Sequence, residues 1–283
     1  SMLRRRIKTP QLKMKAKRIG RLTGTDVVIA YIEKIADPNI VAEVEKRLEQ
    51  IDVDSILESG QIEQFIQDST YSPFPQILDT ERPDTVAGAL LEGRVAIIVD
   101  GTPFVLVVPA VFWQFLQSSE DYYQSFHAAT LLRVMRFVLL NLSLLTPALY
   151  VAFIAFHQDL VPTTLLLSIA AAREAIPFPV IVEALIMETT FEALREASIR
   201  LPRTVANAVS IIGALIIGTA AVEAGIVSAP IVIVVSLTGI ASFAMPHFSA
   251  AITIRMLRFP LMFAAATFGM FGIIMCLMVL IGH

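Results

Sequence analysis

Phe137–Phe156 reads FVLLNLSLLTPALYVAFIAF, 20 residues without a charge. A run of about 20 apolar residues matches the ~30 Å hydrocarbon core of a bilayer, so this stretch predicts a membrane-crossing helix. Arg133 and Arg136 stand just before it, and the short His157-Gln158-Asp159 segment after it carries no Lys or Arg. By the positive-inside bias, the helix begins on the cytoplasmic side.

Charge is distributed to match. Of 22 Lys and Arg, 16 lie in residues 1–136 and 6 beyond; of 25 Asp and Glu, 18 lie in residues 1–136 and 7 beyond. The chain has 283 residues, is 55% hydrophobic and has a mean hydropathy of +0.70. Soluble domains are about 45–50% apolar, and the excess here falls in the second half. The predicted division is a basic mobile arm (1–24), a small α/β cytoplasmic domain (25–130) and a transmembrane helical domain (131–283). A net charge of −3 gives no reason to expect nucleic acid. Cys276, the only cysteine, lies in an apolar run and reads as a small packing residue. The basic N-terminus lacks the apolar core of a signal peptide, and none is expected.

In the soluble half, Asp26–Ile32 is β-branched and aromatic and predicts a strand. Asp37-Pro38 offers an N-cap and a first-turn proline, and Ile40, Val44 and Leu48 share the face of the helix that follows. A second helix is predicted over Ser55–Gln67 and a third over residues 84–92. Arg94–Val99, Asp100-Gly101 and Phe104–Val108 form a hairpin pattern, and a further helix is predicted from Pro109 to Leu116. Gly88, Gly93 and Gly101 match no phosphate-loop spacing. His127, His157, His247 and His283 fall in no metal-binding spacing. No catalytic residues, metal or cofactor are expected, and the domain reads as a docking or assembly module.

Beyond the first crossing, Leu160–Ala172 is too short to cross upright, and Arg173-Glu174, Pro177 and Pro179 interrupt it. The helix that follows places Glu188, Glu192 and Glu196 at i, i+4 spacing, with Glu196 and Arg200 as a favourable pair. Carboxylates at membrane depth need water, partners or an assembly. Glu183, Glu188, Glu192 and Glu223 therefore either face such a path or bond inside the fold or at the interface. Val205–Val222, Ile231–Met245 and Phe259–Ile281 complete about five crossings, one of them broken. Arg195, Arg200 and Arg203, then Arg255 and Arg258, mark the inner side. Asn207, Ser210, Ala214 and Gly218 lie on a small-residue face of the third crossing, with Thr219 and Glu223 opposite. Gly269 and Gly272 read as helix-packing positions. The predicted fold is an α-helical membrane bundle preceded by a small α/β domain.

Three stretches carry a family resemblance: PFPQILDTERPDTVAGALLEGRVAIIVDGTPFVLVVPAVFWQFLQSSEDYY (73–123), SIAAAREAIPFPVIVEALIMETTFEALREASIRLP (168–202) and AVSIIGALIIGTAAVEAGIVSAPIVIVV (208–235). Over nearly its whole length the chain resembles the A subunits of GerA-type spore germination receptors. The resemblance implies a place in the inner membrane of the bacterial endospore. Its implied partners are a transporter-like, nutrient-binding B subunit and a lipoprotein C subunit. It implies a homo-oligomer, such as a pentamer, around a pore for monovalent cations, and it also covers auxiliary channel paralogues. Two departures are a short N-terminal region and the absence of the tail that follows the last crossing. The leading expectation is thus a nutrient-gated or auxiliary cation-channel subunit whose ion-pathway or packing candidates are Asn207, Ser210, Ala214, Gly218, Thr219, Glu223, Glu183, Glu188 and Glu192. The alternatives are a secondary transporter and a non-conducting membrane scaffold. A transporter would need paired broken helices, and only one such element is legible.

Overall fold

The computed structural model describes residues 2–202 and 216–282. The chain divides into two compact units, one ending at Arg133 and one beginning at Val134.

The first unit is built on a five-stranded antiparallel sheet of order β1-β2-β4-β5-β3. The strands are β1 (Leu12–Ile19), β2 (Thr25–Ile32), β3 (Leu78–Thr80), β4 (Val95–Val99) and β5 (Val105–Val108). Side chains alternate between the faces of a strand. Val27 and Ile29 of β2 and Val95, Ile97 and Val99 of β4 therefore share one buried face. Helices α2 (Pro38–Glu49) and α3 (Ser59–Ile66) bring Val41, Val44, Leu48, Ile62 and Ile66 into the same core. The helix α4 (Pro83–Leu91) contacts β2, β4, β5 and β3, and packs with α1 (Met2–Arg6). Burial on both faces explains why β4 reads as a continuous apolar run, VAIIV. Asp37 caps α2 by accepting the Asn39 N–H at 2.9 Å, as its Asp-Pro sequence predicts. β4 and β5 pair as the predicted hairpin, with Gly101 at φ +87° in its turn.

Three expectations need correction here. Residues 12–19, read as part of a mobile arm, form β1, which pairs along its full length with β2. The lysines that give the segment its basic look alternate with apolar residues. Lys13, Lys15 and Lys17 reach Glu33, Glu45 and Glu49 respectively. The second helix starts at Ser59 instead of Ser55, because Glu58 is extended and its carboxylate caps the Gly60 N–H. Residues 109–116, read as a helix, hold instead a short 3-10 turn, Phe112–Leu116.

The second unit is helical. Helix α5 runs over Phe126–Ala155 and enters it from the first; α6 (Thr163–Arg173), α7 (Val180–Arg200), α8 (residues 216–223), α9 (Ala229–Ser242) and α10 (Phe248–Gly282) follow. Among the described residues, α5 and α10 are long and apolar enough to cross a membrane, and α6 and α9 are shorter apolar helices. Only 22% of the most apolar stretch of α10 is buried. Phe263, Phe268, Phe271 and Met278 are exposed along it. Most of the predicted third crossing, including Asn207, Ser210 and Ala214, lies outside the described residues.

Side-chain partners give the helix directions. Ser143 meets Arg258, and Phe156 meets Gly269, so α5 and α10 run the same way. Glu188 pairs with Arg258 and Glu192 with Arg255, so α7 runs against α10. Glu188 meets Thr238 and Arg195 meets Ser242, so α9 runs with α7. Gly239 is where α9 presses on α7: a Cβ built there would lie 2.4 Å from Cζ of Phe191.

The predicted last crossing, Phe259–Ile281, is also corrected: it is not one helix. Gly269, at φ 59° and ψ −140°, breaks α10. Gly269 packs against Phe156 and His157 as expected of a packing glycine, but it does so at the break itself, and Gly272 lies against the Ala264 carbonyl of its own helix.

A buried charge ladder as candidate functional site

Helix α7 opens after Pro179, whose extended backbone ends the irregular Ala175–Phe178 stretch. Its residues 183, 188, 192 and 195 carry Glu, Glu, Glu and Arg towards α6, α9 and α10. The three rungs that result have different degrees of closure.

The first rung joins Arg173, at the end of α6, to Glu183 at 2.9 Å. The second carboxylate oxygen of Glu183 accepts the Ser228 N–H at 3.0 Å, where α9 begins. A carboxylate at a helix start satisfies an otherwise unpaired amide and complements the helix dipole.

The second rung is fully internal. Arg258 is 0% exposed and its partner Glu188 is 1% exposed. Arg258 Nη1 donates to Glu188 Oε2 at 3.1 Å, and Nη2 donates to Ser143 Oγ at 2.5 Å and to the Thr238 carbonyl at 3.1 Å. Thr238 Oγ1 donates to Glu188 Oε1 at 3.3 Å. One guanidinium thus ties α5, α7, α9 and α10 together. A buried ion pair repays its desolvation only when such extra hydrogen bonds accompany it.

The third rung is looser. Arg255 Nε lies 3.6 Å from Glu192 Oε1, beyond hydrogen-bond range. The Arg195 guanidinium stacks on Phe243 at 4.2 Å and donates to Ser242 Oγ at 3.3 Å. Beyond it, Glu196 and Arg200 form the predicted i, i+4 pair at the surface.

Of the sequence-predicted candidates, the ladder brings together Glu183, Glu188 and Glu192. Gly218, Thr219 and Glu223 lie elsewhere, on α8. Gly218 is buried, with Val232 3.6 Å from a Cβ built on it. Thr219 is exposed and donates to the Ile216 carbonyl, and Glu223 is exposed. Sequence reasoning missed Arg173, Arg258, Ser143 and Thr238 as partners. Arg255 and Arg258 were read as markers of the inner loop, yet they sit in the body of α10, at 7% and 0% exposure. Their spacing of three beside two glutamates spaced by four was the available signal: both pairs present one helical face. Among the described residues, no group of three or more His, Cys, Asp or Glu is placed to hold a metal ion.

These features define a class: a small α/β unit followed by an apolar helical bundle whose internal carboxylates are countered by its own arginines. The chain belongs to the Bacillus/Clostridium GerA spore germination protein family, which matches residues 1–283. It is 60% identical over 283 residues to the uncharacterized membrane protein YfkQ of Bacillus subtilis, covering all of this chain and 55% of that protein. It is 56% identical to spore germination protein KA of Bacillus subtilis (all of this chain, 52% of that one). It is 45% identical to spore germination protein GerLA of Bacillus cereus (all of this chain, 57% of that one). The chain spans about half the length of the curated relatives it matches. Among solved structures, it is similar to the N-terminal domain of the A subunit of the Bacillus megaterium spore germinant receptor GerK3. That match has 60% identity and a TM-score of 0.32, covering 39% of this chain and 88% of that one.

Proposed function

We propose that this chain is a membrane-spanning portion, with an adjoining cytoplasmic α/β unit, of a spore germination receptor A-type subunit. Its place is the inner membrane of the endospore. The single observation that carries the reading is the family match over residues 1–283, joined to relatives named as spore germination proteins.

The helix directions support a five-crossing bundle of α5, α7, α8, α9 and α10, with α6 as the broken element. α5 and α10 run one way and α7 and α9 the other, as alternating crossings require. The exposed Phe and Met side chains of α10 support lipid as its solvent. In this reading, copies assemble into a ring that conducts monovalent cations, acting with a transporter-like B subunit and a lipoprotein C subunit. Residues 1–24, 25–130 and 131–283 keep their separate parts, except that residues 12–19 belong to the sheet.

One observation favours a second reading, a non-conducting scaffold. Glu183 and Glu188 are buried against Arg173 and Arg258, so neither is free to attract a cation. Purified protein reconstituted in liposomes separates the two. A potassium efflux that scales with protein and shows no saturable solute dependence supports the channel. Assembly without efflux, in the presence of the B and C subunits, leaves the scaffold.

A further inference from the structure

Helix α10 counts 35 residues, about 52 Å if straight, against a hydrocarbon core of ~30 Å. It is not straight. At Gly269 the backbone takes φ 59° and ψ −140°, a conformation open to glycine and strained for other residues. A Cβ built on Gly272 would lie 2.1 Å from the carbonyl oxygen of Ala264 and 3.0 Å from Phe268 Cβ. Along an unbroken helix, residues 264 and 272 stand about 12 Å apart. The chain therefore doubles back, and glycine at 272 is what permits the two segments to touch.

A second observation fixes the level of this turn. A Cβ on Gly269 would meet His157 Cε1 at 2.7 Å and Phe156 Cβ at 3.1 Å. These residues directly follow the end of α5, beside the polar Gln158 and Asp159. The turn thus lies level with the mouth of the bundle where α5 emerges. Residues 248–268 alone, about 32 Å long, suffice to reach it.

The geometry points to a helical hairpin within the bilayer: residues 270–282 turn back into it from the side on which α5 ends, with lipid acyl chains as the partner of their exposed face. That face carries Phe271, Ile274, Met275 and Met278, and Phe263 and Phe268 are exposed on the preceding limb. Irregular backbone at membrane depth is tolerated only when covered, and here the turn is packed under His157 and Phe156. This inference rests on the membrane placement proposed above.

Nitroxide labels test it on the whole chain in vesicles, in a Cys276→Ala background. Phe271→Cys and Gly282→Cys are labelled separately, both at open positions. Depth is read from relaxation by oxygen against a water-soluble nickel chelate. A segment that turns back places the label at 271 near the surface and the label at 282 deeper by up to about 16 Å. A straight crossing over 259–281 reverses that order, and a reversed or equal depth overturns the proposal. Failure of the membrane placement itself reads differently: both labels relax as in water and alkaline carbonate strips the protein from the vesicles. Gly272→Ala adds a second check, since its methyl group has no room in the hairpin. It should bring the two depths together or invert them while the protein stays membrane-bound, and an unchanged order would overturn the close approach at Ala264.

Discussion

At the scale of single residues, the decisive feature is Arg258. Its charge is buried, shared between Glu188, Ser143 and the Thr238 carbonyl. Removing one partner of such a pair leaves the other charge stranded, at a cost of about 3–5 kcal/mol. Glu188→Gln should therefore lower the thermal unfolding midpoint in detergent strongly. The double change Glu188→Met with Arg258→Met should recover most of that loss, because no buried charge remains. A second residue-scale case lies in the α/β unit. Burial, helped by the nearby charges of Asp79 and Glu58, pushes the Glu63 carboxyl up to about 7. Its folded value lies above its unfolded value, so the folded state holds the proton more tightly. The contribution of Glu63 to stability is then greatest below about pH 4.5, is lost as pH rises through 7, and levels off above. Glu63→Gln should flatten this dependence and stabilise the unit at pH 8. Denaturation followed by the fluorescence of Trp113, the only tryptophan, checks both points.

At the scale of elements, close approach decides the packing. Gly239 lets α9 lie against the Phe191 ring of α7. In the membrane placement proposed above, tight contacts of this kind replace the hydrophobic drive that lipid removes between helices. Gly239→Ala should cost about 1–3 kcal/mol by overpacking. Adding Phe191→Leu should restore part of it, as read by thermal unfolding. The sheet of the first unit obeys a different rule. Its edge strand β1 has lysines on alternate positions, which discourage pairing with another edge and bond to glutamates of the same chain. Exposed pairs of this kind contribute little, so the pairing with β2 and the burial of Ile19 hold the strand. The lysine density hid a plain period-two pattern, which is why the segment read as an arm.

At the scale of the whole molecule, the two units differ in which side chains they bury. The charged half folds around a sheet whose core is sealed from water on both faces. The apolar half exposes phenylalanine and methionine and buries Glu183, Glu188, Arg255 and Arg258, the reverse of a water-soluble core. A chain of 31.0 kDa that assembles as proposed should elute in mild detergent at a protein mass several times that value, by light scattering corrected for bound detergent. A monomer mass in the presence of the proposed B and C subunits would remove the homo-oligomeric ring. Composition and period were enough to determine the α2 cap, the β4–β5 hairpin and the apolar runs of α5 and α10, because each depends on neighbours a few residues away. Only the tertiary structure decided that Arg258, 70 residues from Glu188, neutralises it, and that Gly269 reverses a helix hydropathy reads as continuous. Charge pairing between distant helices and room for a backbone to double back depend on what packs alongside, which local sequence does not encode.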